Sequence, residues 1–253
     1  MPKVPSPGVA RTRARAAADR LLRDLSPARR LRTRLAAGRL EDWAGDRPIR
    51  LLDAGCDVGL LSLAMARRRP AWTIEAVDVN DDILAVARTW AAEAGLDSIV
   101  HRHADITRDL PGGAYDAVAA LECLTLIPDL DAAVAGLSDS LRAGGLLVAH
   151  VPEADWEPVL PGSDRHWPGE LRHGFRPWEL AELLDRHGLR TTWTQPTSRV
   201  PVQVAQEVRD RIKGASTRVR LAALPALRAT AWLEARGVAF GRPRGLYIEA
   251  TRR

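Results

Sequence analysis

Hydrophobic positions change rhythm three times along the chain. Between residues 10 and 44 apolar side chains recur at helical spacing, first Leu21, Leu22 and Leu25, then Leu31, Leu35, Leu40 and Trp43, with Ser26-Pro27 as a break. Asp46-Arg47-Pro48 closes that region. From Ile49 short apolar runs alternate with amphipathic segments. Ile49–Ala54 predicts a strand, Gly59–Arg69 a helix, Thr73–Asp78 a strand and Asp81–Ala94 a helix. Ile99–His103 and Tyr115–Leu121 predict strands, Leu130–Arg142 a helix and Leu146–Val151 a strand. Alternation of this kind makes βαβ units, which give a parallel sheet with right-handed crossovers. After Val151 the periodicity stops. Residues 152–174 carry Pro152, Pro158, Pro161, Gly162, Pro168, Gly169 and Gly174 and predict a long loop, a segment that often serves as a lid. Helical spacing resumes over Pro177–His187, with Pro177 in the first turn and Gly188 as a stop. Leu189–Gln195 predicts a strand, residues 202–236 one or two helices interrupted near Gly214 and Pro225, and Leu246–Thr251 a last strand.

Composition narrows the class. With 253 residues, 46% of them hydrophobic, the chain can bury one α/β core with additions. Its apolar runs fall far short of the ~20 residues a bilayer crossing needs, so no membrane span is expected. The segment MPKVPSPGVARTRARAAADR has charge but no apolar stretch behind it, so no secretory signal is expected. Cys56 and Cys123 make neither a disulfide framework nor metal spacing, and a reduced cytoplasm is the expected compartment. The net charge is +5, and it is arginine charge, because lysine occurs only at Lys3 and Lys213. One cluster runs from Arg11, Arg13, Arg15, Arg20 and Arg23 to Arg29, Arg30, Arg32 and Arg34; a second holds Arg209, Arg211, Lys213, Arg218, Arg220 and Arg228. Solvated helix faces are the default reading, and an anionic partner is the alternative.

The strongest chemical signal is LLDAGCDVG, Leu51–Gly59. An apolar strand ends in Asp53 and Ala54, a turn carries Gly55 and Gly59, and a helix follows. Such a turn sets backbone N–H groups and a helix N-terminus at the carboxyl edge of a sheet, where open α/β sheets bind ligands. Glycine lets a ligand approach and permits positive φ. The second signal is Asp78, in EAVDVND at the end of the next strand, placed to accept both hydroxyls of a ribose. A nicotinamide dinucleotide or S-adenosyl-L-methionine (SAM) would fit this pair. The dinucleotide fingerprint puts glycines at positions 55, 57 and 60, whereas this chain has Gly55, Asp57 and Leu60 there, and Asp57 would face a pyrophosphate with negative charge.

LLDAGCDVG resembles the first motif of class I SAM-dependent methyltransferases, and the remaining motifs follow in that family's order. Asp78 matches the ribose acid, and ADI (Ala104–Ile106) matches the segment that holds adenine. YDAVAALECLTLIPD (Tyr115–Asp129), LRAGGLLVAHVPE (Leu141–Glu153) and HGFRPWELAELLDRHGLR (His173–Arg190) resemble the family's later segments, so the likeness covers residues 49–195. It implies a Rossmann-like, seven-stranded, mostly parallel α/β sheet in the order 3-2-1-4-5-7-6, the last strand antiparallel, with helices on both faces. It also implies a layout of a basic helical N-terminal extension over 1–48, then a SAM-binding methyltransferase domain over 49–253 with a lid at 152–176 and a helical insertion at 202–236. SAM would then sit along Asp53, Gly55, Cys56, Asp57 and Gly59 with its methionyl part, on Asp78 with its ribose, and against Val79, Asp105 and Ile106 with its adenine, its methyl directed over Glu122 and Cys123. The resemblance implies methyl transfer to an O, N or C nucleophile of a small molecule, achieved mainly by positioning.

Two departures from the family pattern stand out. Asp57 replaces the motif's middle glycine; Asp tolerates left-handed φ, and its carboxylate can pair with a cationic sulfonium or ammonium or repel a carboxylate. The triplet LEH of many relatives reads Leu124-Thr125-Leu126, so no histidine role transfers there. His150 and Glu122 are the candidate catalytic groups, with His166 and His173 further off; for each histidine taken singly a surface or capping residue is the default reading. Trp156, Trp167, Trp178 and Trp193 read either as a pocket or as packing. Cys56 and Cys123 read as buried fillers. No metal site is expected. The expected partner is a small molecule rather than a nucleic acid, and a homodimer is open. The alternatives are an RNA or protein methyltransferase, disfavoured because ALEC stands where an NPPY-type tetrad would be, and a SAM-fold protein that does not methylate, kept open by Asp57.

Overall fold

The computed structural model describes residues 26–165 and 169–253. Of the helical pattern predicted over residues 10–44, the described part forms a helix over Pro27–Ala44 (α1), which starts at the proline of Ser26-Pro27. Ser26 Oγ accepts the Arg29 N–H at 3.1 Å, satisfying one of the donors a helix start leaves open, and proline at the first position gives up no bond. Residues 10–25 and their arginines lie outside the described residues.

Strands and helices then alternate as predicted: β1 (Arg50–Ala54), α2 (Leu60–Arg68), β2 (Thr73–Asp78), α3 (Asp81–Glu93), β3 (Ile99–His103), β4 (Tyr115–Leu121), a short 3-10 turn (Leu124–Leu126), α4 (Leu130–Ser140), β5 (Leu141–Pro152), α5 (Pro177–Arg186), β6 (Leu189–Thr197), α6 (Val200–Arg211), α7 (Thr217–Glu234) and β7 (Gly245–Arg252). The strands form one sheet in the order β3-β2-β1-β4-β5-β7-β6. All neighbours among the first five are parallel, and β7 runs antiparallel to both β5 and β6.

Period-two alternation explains why these strands read as continuous apolar runs. Leu52, Ala54, Val118, Ala120, Leu147 and Ala149 face one core, with Leu137 of α4 and Leu184 of α5. Leu51, Ala117, Ala119, Leu146 and Val148 face the other, with Leu40 of α1 and Leu61 and Met65 of α2. A sheet covered on both faces buries every side chain of its inner strands. Each fully buried Leu or Val contributes roughly 1.5–3 kcal/mol.

Two expectations are corrected. The helix predicted to reach Arg142 ends at Ser140, and the following strand begins at Leu141 rather than Leu146. Leu141 already pairs with Tyr115, after which the register slips so that Ala117 meets Leu146. Gly144 absorbs the slip at φ +72, and at Gly145 a Cβ would stand 3.0 Å from the Asp116 carbonyl. Pro225 does not interrupt its helix. α7 runs through it, and the only break in 200–234 is at residues 212–216, where Ser216 caps the new helix through the Val219 N–H.

The chain divides into two compact units. One comprises Arg32–Glu157, Asp164–Thr197 and Arg242–Arg253 and holds the whole sheet. In the other, which includes Pro158–Ser163 and Ser198–Gly241, α6 and α7 pack through Ala205, Leu224 and Leu227. There the Glu207 carboxylate accepts the Val159 N–H (2.9 Å), the Leu160 N–H (2.7 Å) and the Ser163 hydroxyl (2.8 Å), fixing a loop that has no ladder of its own.

Candidate functional site

The sheet unit brings the predicted residues to the carboxyl edges of β1, β2, β3 and β4. The turn after β1 needs three residues in the left-handed region: Gly55 at φ +66, Asp57 at φ +51 and Gly59 at φ +72. Asp57 therefore adopts the conformation that its motif position normally reserves for glycine. Gly55 is required by space as well, since a Cβ there would lie 2.6 Å from Cys123 Cβ. The Asp57 N–H donates to Asp78 Oδ2 at 3.0 Å and the Asn80 N–H to Asp78 Oδ1 at 3.0 Å. Each oxygen keeps a lone pair for another donor, so the ribose acid is held in place without being used up. Val79 beside it is 59% exposed.

Asp53 behaves differently from its neighbours. It is 3% exposed, and its Oδ2 accepts both the Ser62 N–H (3.2 Å) and the Ser62 hydroxyl (2.6 Å). It ties β1 to the first turn of α2. Burial pushes its carboxyl up to about 7, against the pull of the Ser62 hydrogen bonds. Cys56 and Cys123 are both pushed up by burial, Cys123 to about 12, so neither is a thiolate at neutral pH.

On the β3 side, Asp105 turns into its own loop, where its Oδ1 accepts the Thr107 N–H at 2.9 Å and the Thr107 hydroxyl at 2.7 Å. The Thr107 N–H, first, and its hydroxyl hold this carboxyl below the usual range. Ile106 is buried in the core, with its carbonyl against Gly136, where a Cβ would come within 2.3 Å.

The other candidates meet in a buried chain. Glu122 follows β4 at φ +69, a strained position for a residue other than glycine, and its N–H donates to the His150 carbonyl at 2.7 Å. Glu122 Oε1 lies 2.6 Å from His150 Nδ1, and His150 Nε2 lies 2.7 Å from Thr197 Oγ1. The Glu122 carboxylate accepts from Nδ1–H, and the Thr197 hydroxyl, able to donate or accept, partners Nε2. His150 and Thr197 are buried, whereas the Glu122 side chain keeps 29% of its surface. Burial alone would raise the Glu122 carboxyl, but Arg32, His150 and Arg244 together hold it at about 2. Gly245 makes room for the chain, because a Cβ there would stand 2.6 Å from Thr197 Oγ1 and 2.7 Å from the His150 ring.

Sequence reasoning missed Thr197, Arg32, Arg244 and Gly245. Thr197 and Gly245 are paired in the β6–β7 ladder, a long-range register that no local motif encodes. Of the candidate tryptophans, those described share no partner. Trp156 lies under the Arg244 guanidinium at 4.2 Å, Trp193 packs edge-on to Tyr247 and under Arg39, and Trp178 is exposed. His173 is exposed on its loop, and His166 and Trp167 lie outside the described residues.

Comparison with known proteins bears on the family and the fold. A family model described as a methyltransferase domain matches residues 14–194. The ubiquinone biosynthesis O-methyltransferase of Xanthomonas euvesicatoria pv. vesicatoria (strain 85-10) is 34% identical over 156 residues, which is 56% of this chain and 62% of that protein. The match thus spans less than two thirds of the relative's length. Among solved structures, the [4+2]-cyclase SpnF is 26% identical, with a TM-score of 0.59 over 85% of this chain and 80% of its own. Phosphoethanolamine N-methyltransferase 2 of Haemonchus contortus, solved with S-adenosyl-L-methionine, shares the fold at a TM-score of 0.63 and 16% identity, over 86% of this chain and 52% of its own.

Proposed function

The chain belongs to the methyltransferase-domain family, and from that premise we propose that it binds SAM at the β1–β4 edge and methylates a small-molecule acceptor. The observation that carries the reading is the Asp57–Asp78–Asn80 arrangement, a carboxylate fixed by two backbone N–H groups beside a left-handed turn and an exposed Val79. Asp78 would take the ribose hydroxyls, Val79 and Ile106 the adenine, and Asp105 the adenine amino group with its remaining lone pairs. Gly55, Cys56, Asp57 and Gly59 would border the methionyl part. Asp53 supports them from below as a brace on α2.

When bound, SAM supplies an electrophilic methyl on a positively charged sulfur. This chain's own residues have the task of orienting and shielding. A carboxylate held near 2 is a poor proton acceptor at neutral pH and a good fixed anion, so Glu122 suits a cationic part of the cofactor better than the role of general base. His150 has both ring nitrogens engaged and is buried, so it acts through Glu122 as a positioning residue. Holding two reactants in line contributes up to ~7–11 kcal/mol, which makes a dedicated base optional. The name of the similar Xanthomonas protein supports an oxygen nucleophile.

The test is calorimetric titration of the purified protein with SAM and with S-adenosylhomocysteine. Micromolar binding of both is expected, lost by about 100-fold or more in Asp78→Ala, the scale at which one buried carboxylate–hydroxyl pair discriminates. Absence of binding to either compound sinks the proposal. A second reading, a SAM-fold protein that catalyses another reaction, is favoured by the 26% identity to a [4+2]-cyclase. Normal binding with no transfer of labelled methyl from SAM to any hydroxyl acceptor would favour it.

A further inference from the structure

The unit that contains α6 and α7 carries a surface anomaly. A surface helix of a soluble protein normally turns its charged and polar residues outward. α7 does the reverse. Its exposed residues between Arg218 and Arg236 are Val219, Ala222, Pro225, Ala226, Ala229, Trp232 and Leu233. At 3.6 residues per turn they fall on one face, and at 1.5 Å per residue that face is about 21 Å long from Val219 to Leu233. It carries no polar side chain, and Trp232 in it is 45% exposed. The chain then continues through Val238 and Phe240, 58% and 66% exposed. Single exposed apolar residues need no explanation, but a contiguous stripe does.

Charge around the stripe has one sign. Residues 211–241 hold Arg211, Lys213, Arg218, Arg220, Arg228 and Arg236 against a single acid, Glu234. That acid is buried and accepts the Arg199 N–H. Arg218 and Arg236 bracket the apolar stripe at its two ends.

We infer that α7 and the Val238–Phe240 turn form a peripheral docking face for an anionic lipid surface. An apolar stripe containing tryptophan, flanked by arginines, is the makeup of a helix lying in the plane of a membrane interface. Two other occupants fit worse. Self-pairing of α7 about a two-fold axis would set Arg218 of one copy near Arg236 of the other, and residues 211–241 offer no exposed acid to offset the repulsion. A nucleic acid needs donors in the middle of its contact, where this face offers only Ala222, Pro225, Ala226 and Ala229. No described helix is long and apolar enough to cross a bilayer, so the contact lies on the surface.

The experiment is co-sedimentation of the full chain with vesicles of phosphatidylcholine alone or of phosphatidylcholine with one third phosphatidylglycerol, at low and high salt. Binding is expected to the anionic vesicles only and to weaken with salt. Arg218→Gln with Arg236→Gln should weaken it about 25-fold, roughly fivefold for each arginine near the surface. Ala229→Glu, in the centre of an already exposed face, should abolish it without altering the circular-dichroism melt. Three results would each overturn the inference: no binding to anionic vesicles, binding that Ala229→Glu leaves intact, or Trp232→Ser converting a dimer to a monomer in sedimentation velocity while vesicles pellet nothing. None depends on whether SAM binds.

Discussion

Asp53 lies in β1 and Glu122 just past the end of its neighbour β4, and burial pushes both carboxyls the same way, yet they end about five pH units apart, at about 7 and about 2. Asp53 sees only neutral donors from Ser62, and its charged neighbours, Asp57 and Asp78, are anions. Glu122 sees Arg32, His150 and Arg244. Desolvation therefore does not decide the charge of a buried acid; the sign of what surrounds it does. The same edge holds one carboxyl poised to lose or keep its proton near neutrality and one that stays ionised. That contrast separates a brace from a fixed anion, although both residues stand within the same motif-bearing edge.

The most severe way to break the comparison is to remove the charge from Glu122. A folded-state value near 2 against an ordinary 4.5 means that the folded chain binds fewer protons than the unfolded one between those values. This stability is present above about pH 4.5 and lost as pH falls through 2. Glu122→Gln should cost about 3 kcal/mol at pH 7, the free energy of that shift, and much less at pH 3. Thermal melts at the two pH values read it. An equal loss at both would mean that Glu122 contributes shape rather than charge.

Asp53 should answer with the opposite sign and less force. Its folded value lies above the unfolded one, so the folded chain binds more protons between about 4 and 7, and stability falls as pH rises through that window. Asp53→Asn keeps an acceptor for Ser62 and removes the buried charge. It should stabilise by about 2 kcal/mol at pH 8 and by nothing at pH 5, allowing for the amide hydrogens it adds without partners. A variant less stable than the parent at pH 8 would show that the ionised form of Asp53 is the one the fold uses.

The sequence made one side of this comparison far more legible than the other. The turn, the ribose acid and the alternating elements are local: Leu51–Gly59 and Asp78 announce themselves by spacing, and period-two alternation placed six of the strands within a few residues. The Glu122 side is nonlocal. Its anionic state depends on Arg32, 90 residues earlier by the numbering, and on Arg244 near the far end of the chain, and the His150 ring fits only because Gly245 of β7 lies across from it. β6 and β7 meet through an antiparallel ladder that no motif encodes. Pro225 misled for a related reason: proline forfeits a single helical bond on an exposed face, and the packing of Leu224 and Leu227 on α6 outweighs it.

Asp57 lies between the two regimes, and replacing it is the gentlest test. At φ +51 an aspartate holds a conformation that glycine adopts without steric cost, so Asp57→Gly relieves strain in the folded chain while it loosens the unfolded one. These terms nearly cancel, and the melt should move by less than about 1 kcal/mol. Binding is where the substitution speaks. The Asp57 N–H that steadies Asp78 belongs to the backbone and survives the change, so the ribose acid stays in place. Any change in SAM affinity then reports the Asp57 carboxylate alone. Tighter binding of both SAM and S-adenosylhomocysteine would mean that it repels the cofactor's carboxylate. A loss confined to SAM would mean that it supports the sulfonium, since only SAM carries that charge. The second outcome would place a second fixed anion on the β1 edge and narrow the gap between the two regions from which the comparison began.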